Sequence, residues 1–263
     1  MLNRVPTARL GWVAASMGGP AHRRRPLTQC LAVLVAAAAS ILAVAQTPPA
    51  PSPRFVVLLD AAHGGGDLGG RLTDQAGQIQ AEKALTLALS VRLRSLLTAR
   101  GIAVVTTRES DAMVDNDRRA EIANRANAAA CLSLHASQIG TGIHIYASSL
   151  TPVPANQMTP WKTAQAAWVT RSLALAGVLN SALTHAGMTV SLGRTGLPAV
   201  DSMACPAVAV EIAPEVSADH PEPTGVDDPG YQAQVAQALA AAIVEWRSNG
   251  SRGETSHLEV SQP

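Results

Sequence analysis

Residues 55–70 read FVVLLDAAHGGGDLGG. Phe55 to Leu59 is a continuous apolar run, which predicts a strand covered on both faces rather than one with a wet side. The run ends at Asp60, and the chain enters a Gly-rich loop carrying His63 and Asp67. A helix follows. Leu85, Leu89, Leu93, Leu96 and Leu97 recur at helical spacing between Glu82 and Arg100, and Gly101 is the stop.

The alternation continues along the chain. Ile102 to Thr106 reads as a second strand and Asp117 to Ala130 as a helix, with Ile122, Ala123 and Ala126 on one face. Cys131 to Leu134 is a third strand, ending at His135, and Gly142 to Tyr146 a fourth. Residues 147–163, rich in Pro, Ser, Thr and Asn, predict a long loop containing Trp161. Ala164 to Ala186 and Tyr231 to Trp246 are two more helices, and Val208 to Ile212 is a buried strand interrupted by Glu211. Such alternation predicts an α/β fold: a single twisted, mostly parallel sheet flanked by helices on both faces. In such sheets functional residues gather beyond the carboxyl ends of the strands.

Composition agrees with a packed body. Hydrophobic residues make up 47% of the 263 and charged residues 15%, which excludes a disordered chain. The formal charge, 20 − 19 = +1, and an aromatic content of 3% exclude a nucleic-acid binder built on basic patches or base stacking. Three cysteines exclude a disulfide-dense scaffold and a four-cysteine zinc module.

The charge is unevenly spread. Residues 1–45 hold five Arg and no acid, so the remainder carries 15 basic against 19 acidic residues, or −4. Arg23-Arg24-Arg25, the apolar stretch from Cys30 to Ala45 and the small-x-small Ala43-Val44-Ala45 predict a signal peptide over residues 1–45. An uncleaved N-terminal anchor is the competing reading, and only that reading places the chain on a membrane. Residues 46–54 form a Pro-rich linker, residues 55–246 the folded domain, and residues 247–263 a polar tail expected to be disordered. The body is expected in the periplasm or extracellular space. Cys131 and Cys205 read as buried free thiols, with a disulfide as the alternative in an oxidising compartment.

Two histidines, His63 and His135, follow apolar strands, and Glu82 opens the first helix. Two imidazoles and one carboxylate are the ligand set of many catalytic zinc sites, which keep a fourth position for water. Glu211 is a spare acid, and a carboxylate in an apolar strand needs a partner or a function. Each signal alone is weak. A histidine in a Gly-rich loop is often a turn residue, and a glutamate at a helix start often serves the dipole. His63-Gly64-Gly65-Gly66 is similar to an esterase oxyanion loop, although no G-x-S-x-G elbow accompanies it.

Taken together, the motifs resemble those of the zinc-dependent N-acetylmuramoyl-L-alanine amidases that cleave bacterial peptidoglycan. Leu58 to Gly70 is similar to that family's strand, Asp-Pro-Gly-His-Gly-Gly loop and following Asp. Glu82-Lys83 is similar to its helix start, and Thr107-Arg108 with Asp111 to its Thr-Arg-x-x-Asp segment. Arg119 with Ile122-Ala123-Asn124, Ser133 to Ala136, and Val210-Glu211-Ile212 complete the ordered set. The resemblance implies that His63, Glu82 and His135 bind Zn2+ and that Glu211 is the catalytic carboxylate. It also implies peptidoglycan as substrate, leaves room for a protein activator, and is compatible with a monomer.

The chain departs from the pattern at Ala61-Ala62, at Ser137 and at Ala213-Pro214-Glu215, the last expected to reshape the cleft floor. The Trp161 segment falls where some relatives carry an insertion over the cleft; an ordinary surface loop is the equal alternative. Two other functions stay open at this point: a catalytically inactive wall-binding module, and a zinc peptidase or deacylase acting on another exported amide.

Overall fold

The computed structural model describes residues 55–259, apart from residues 75, 155, 218 and 219. The expected leader and linker, residues 1–54, lie outside the described residues, as do residues 260–263. Among the described residues no helix is long and apolar enough to cross a membrane.

The 55–70 stretch forms β1 (Val56–Ala61), followed by the short strands β2 (Arg71–Thr73) and β3 (Ile79–Ala81) and by α1 (Glu82–Ala99). Then come β4 (Ala103–Thr106), α2 (Asn116–Arg125), β5 (Ala130–Ala136) and β6 (Ile143–Ser148). A 3₁₀ segment, Trp161–Ala167, leads into α3 (Val169–His185), β7 (Val190–Thr195) and α4 (Pro198–Asp201). The chain ends with β8 (Ala207–Ile212), β9 (Glu215–Ser217), β10 (His220–Thr224) and α5 (Pro229–Glu259).

Six strands form one sheet in the order β4-β1-β5-β8-β6-β7. Every neighbouring pair is parallel except β6 with β8. Alternation along each strand divides the side chains between two faces. Val57 and Leu59 of β1, Leu132 and Leu134 of β5, and Val208 and Val210 of β8 meet α1, α3 and α5 in the larger core. Leu58, Cys131 and Ala207 meet α2 and α4 in the smaller one. Helices therefore cover both faces, as the apolar runs require.

The second face also carries Asp60, Ser133, His135 and Glu211, which follow Leu58, Cys131 and Ala207 at even spacing on their strands. Polar residues on a buried face must find partners, and the sheet clusters them at its carboxyl end.

One reading changes. Cys131 and Cys205 form a disulfide, with Cα atoms 6.3 Å apart. Cys131 pairs with Ala207 in the β5–β8 register, so Cys205 arrives two residues earlier beside it, within bridging range. Helix α5 runs on past Trp246 to Glu259.

Candidate active site

The site is assembled by three connections. After β1 the backbone turns sharply at His63, whose φ of 62° lies in the left-handed region. Gly64 and Asp67 exchange backbone hydrogen bonds of 2.9 and 3.1 Å, closing a tight loop. The β2–β3 hairpin then folds back. Glu82 N–H donates to Gly70 O at 2.9 Å, so α1 begins beside the loop. Finally β5, next to β1 in the sheet, delivers His135 to the same place.

His63, Glu82 and His135 converge: one potential ligand atom from each lies within 4.8 Å of the others. Glu82 Oε2 is 3.0 Å from His63 Nε2, and Oε1 is 3.1 Å from His135 Nδ1. The two imidazoles stand edge to face, with centroids 5.6 Å apart. Glu82 also accepts from Gly70 N–H at 2.8 Å and from Ala136 N–H at 3.1 Å. Burial opposes its charge, but these hydrogen bonds, those to the histidines foremost, hold its carboxyl well below the usual carboxylate range. The Glu82 hydrogen bond raises His63 above the ordinary histidine value against a burial cost, and Asp67 adds to the rise.

The far nitrogens of both rings are held too. Asp67 Oδ2 lies 2.9 Å from His63 Nδ1. Ser133 Oγ lies 3.3 Å from His135 Nε2 and donates to Asp60 Oδ2 at 2.7 Å. Metal-binding histidines characteristically have their outer nitrogen oriented in this way, which directs the other nitrogen at the ion. The donor set thus fits a divalent ion of the zinc type: two imidazoles and a carboxylate, in a half-buried cluster with oriented rings.

Beneath the cluster lies a buried polar foundation. Asp60 accepts from Arg119 at 2.5 Å and from Thr107 at 2.7 Å, besides Ser133. Arg119 also donates to Ala61 O and His63 O, both at 2.8 Å. Arg108 donates to Ala61 O at 2.9 Å, Ala62 O at 3.0 Å and Lys83 O at 2.7 Å. Asp111 accepts from Lys83 Nζ at 2.6 Å and Gly65 N–H at 2.7 Å. Arg108 and the Lys83–Asp111 ion pair therefore pin the His63 loop to α1, and Arg119 ties it to α2. Asp60 and Ser133 were not singled out from sequence. The available signal was an acid ending an apolar strand, the same signal that marked Glu211.

Glu211 sits next to His135 in the β5–β8 register and next to His144 in the β8–β6 register. Residues paired across neighbouring strands share a face. The spare acid is therefore beside the cluster and on its side of the sheet. His144, the partner of Glu211 across the β8–β6 pair, faces the cleft side as well.

A cleft of about 350 Å³ opens there, lined by His63, Asp67, Arg119 and His135 and walled by Leu197 and Val200. Among the described residues lining it, none comes from the Trp161 segment, which instead docks through a Lys162–Asp117 ion pair. Pro214 and Glu215 do not line the cleft either. Glu215 turns to accept from Thr189 Oγ1 at 2.9 Å.

The chain matches the model of the N-acetylmuramoyl-L-alanine amidase family over residues 57–245. Among solved structures it is similar to the catalytic domain of the amidase CwlV from Bacillus (Paenibacillus) polymyxa var. colistinus, at 23% identity and a TM-score of 0.56, covering 74% of this chain and 98% of that one. It is similar to the amidase AmiC2 of Nostoc punctiforme, at 23% identity and a TM-score of 0.54, covering 74% and 97%. It is also similar to the CwlD amidase from Clostridioides difficile, solved in complex with the GerS lipoprotein, at 18% identity and a TM-score of 0.56, covering 74% and 99%. No curated protein matches the chain in sequence. At these identities the structural likenesses speak for the fold, and the family match, over most of the folded body, speaks for the lineage. The chain belongs to the N-acetylmuramoyl-L-alanine amidases, the peptidoglycan hydrolases that cut the amide between N-acetylmuramic acid and L-alanine.

Proposed function

We propose that this amidase works with a single zinc ion held by His63, Glu82 and His135, and that Glu211 is its catalytic carboxylate. The observation that carries the reading is the convergence of the first three on one point, with Glu211 in register beside His135. Zinc bound there would supply Lewis-acid polarisation of the scissile carbonyl and a water of lowered pKa.

The chain's own groups do the rest. Asp67 holds His63 by Nδ1, and the Arg119–Asp60–Ser133 chain holds His135 by Nε2, so both rings are oriented before substrate arrives. Glu211 accepts the proton of the attacking water and passes it to the departing L-alanine nitrogen. A general acid and base at one carboxylate needs contact with both atoms, and the position of Glu211 beside His135 in the register supports that role.

Such an enzyme meets its polymer outside the cytoplasm. The basic leader and the Cys131–Cys205 disulfide favour export into an oxidising compartment. CwlD was solved with a lipoprotein partner, and a protein activator of this chain is part of the same reading.

The test is digestion of purified peptidoglycan by the zinc-loaded protein, by the protein with a chelator, and by Glu211→Gln. The expected product is free stem peptide with a new L-alanine amino terminus, detected by mass spectrometry and absent with chelator. Glu211→Gln is expected to keep its zinc and lose roughly 10²–10⁴-fold in turnover. Wild-type turnover in that variant, or cleavage indifferent to metal removal, would overturn the assignment.

A further inference from the structure

The row of side chains that begins at the metal cluster does not end at Glu211. Across the sheet the register runs His135 on β5, Glu211 on β8, His144 on β6 and Ser191 on β7. His144 Nδ1 is 2.6 Å from Ser191 Oγ, so these two side chains meet on the cleft face. Two residues along β6, the Tyr146 ring stacks on His144, with centroids 6.3 Å apart and planes 23° from parallel. The helix packed against β6 and β7, α3, meets Ile143 and Ile145 on the opposite face. His144 and Tyr146 are left half-exposed and Ser191 exposed.

This shelf is fitted to its rings. A Cβ at Gly193 would lie 3.0 and 3.1 Å from two Tyr146 ring carbons, and one at Gly140 would lie 2.5 Å from His144 Nε2. Two glycines therefore give the space that lets both rings lie against the sheet.

We propose that His144, Tyr146 and Ser191 form the subsite for the stem peptide, on the leaving-group side of the scissile amide. The proposal rests on the amidase reading above. Glu211 hands its proton to the departing nitrogen, so the nitrogen and whatever it carries lie on Glu211's side of the cluster. The shelf starts one strand beyond Glu211 and reaches two strands out. At about 4.8 Å per strand that is roughly 10 Å, the length of about three extended residues. Ring faces pack on flat peptide groups, and the imidazole and two hydroxyls offer both donors and acceptors to backbone amides. The 350 Å³ cleft, which none of these three residues lines, is then left for the acyl side.

The experiment compares N-acetylmuramoyl-L-alanine with N-acetylmuramoyl-L-alanyl-D-isoglutamine in wild type, in the double variant His144→Ala with Tyr146→Leu, and in Gly193→Val, which displaces the Tyr146 ring. Two readouts are used. The first is the ratio of kcat/KM for the longer over the shorter compound. The wild type is expected to favour the longer one by roughly tenfold, and both variants to lose that preference through KM. The second is saturation-transfer NMR on metal-free protein, which does not depend on turnover. The isoglutamine protons are expected to receive saturation from wild type and to lose it in both variants. Unchanged saturation of those protons in the variants overturns the subsite even if the enzyme is active. Failure of every sample to hydrolyse either compound counts against the amidase reading, while the NMR arm still decides the shelf.

Discussion

Asp67 reaches the cluster only through His63 Nδ1, and that makes it a sensitive probe of the site. Its carboxylate is held below the ordinary aspartate range chiefly by the His63 hydrogen bond. The pair fixes the ring so that Nε2 faces Glu82. Asp67→Asn is isosteric but cannot favour the same ring orientation as strongly. We expect metal affinity to fall about 10–100-fold, measured by competition against a chromophoric chelator, with the unfolding midpoint of the metal-free protein little changed because Asp67 is half-exposed. At this scale much was legible. His63 and His135 stood out because a polar residue at the end of an apolar strand faces the carboxyl edge of the sheet. Glu211 stood out because a carboxylate among Val, Ala and Ile needs a reason to be there. Asp60 stayed hidden. Its four-residue link to Arg119, Ser133 and Thr107 joins stretches up to 73 residues apart, and no local pattern records it.

The elements divide along a physical line. Strands buried on both faces were readable as apolar runs, and α1 was readable from its leucine stripe. The β2–β3 hairpin was not, because each strand has three residues and only Leu72 is fully buried. A signal was available in Asp74 and Gly77: Gly77 N–H donates to Asp74 O at 3.0 Å, and the Asp74 side chain caps Gln78 N–H at 2.6 Å. Strand β7 was missed for a similar reason. It is the sheet edge, mostly exposed, and VSLGRT offers too few apolar positions to show a period. The disulfide is the connection between elements that sequence left open. It ties the start of β5 to the segment entering β8, the two strands that carry His135 and Glu211, across 74 residues of chain. Replacing both cysteines by alanine should lower stability by about 2–5 kcal/mol, read by urea unfolding. The register of β5 and β8 is also fixed by backbone hydrogen bonds, so residual activity per folded molecule is expected to stay near wild type. A loss of specific activity well beyond the loss of folded protein would mean that the bridge sets the His135–Glu211 spacing.

At the scale of the whole molecule, the sheet explains why six scattered motifs form one site. Parallel strands put all their carboxyl ends at one edge, and the order β1-β5-β8 sets the His63 loop, His135 and Glu211 side by side although 148 positions separate the first from the last. The reversal at β6 was not legible, since an antiparallel neighbour carries the same apolar alternation. That reversal places His144 beside Glu211. The body so built carries −4 after residue 45 and holds an internal disulfide, and both fit a chain that folds after leaving the cytoplasm. Expression of the full chain in a bacterium with an export pathway should therefore give a mature protein that begins at Gln46 by intact-mass analysis. Its Cys131 and Cys205 should resist alkylation under denaturing, non-reducing conditions. A version starting at Gln46 with an added initiator methionine should stay in the cytoplasm with both thiols alkylated. Recovery of residues 1–45 on the membrane-bound protein would instead establish the leader as an anchor. Complete alkylation of the exported protein would show that the two cysteines work as buried thiols after all.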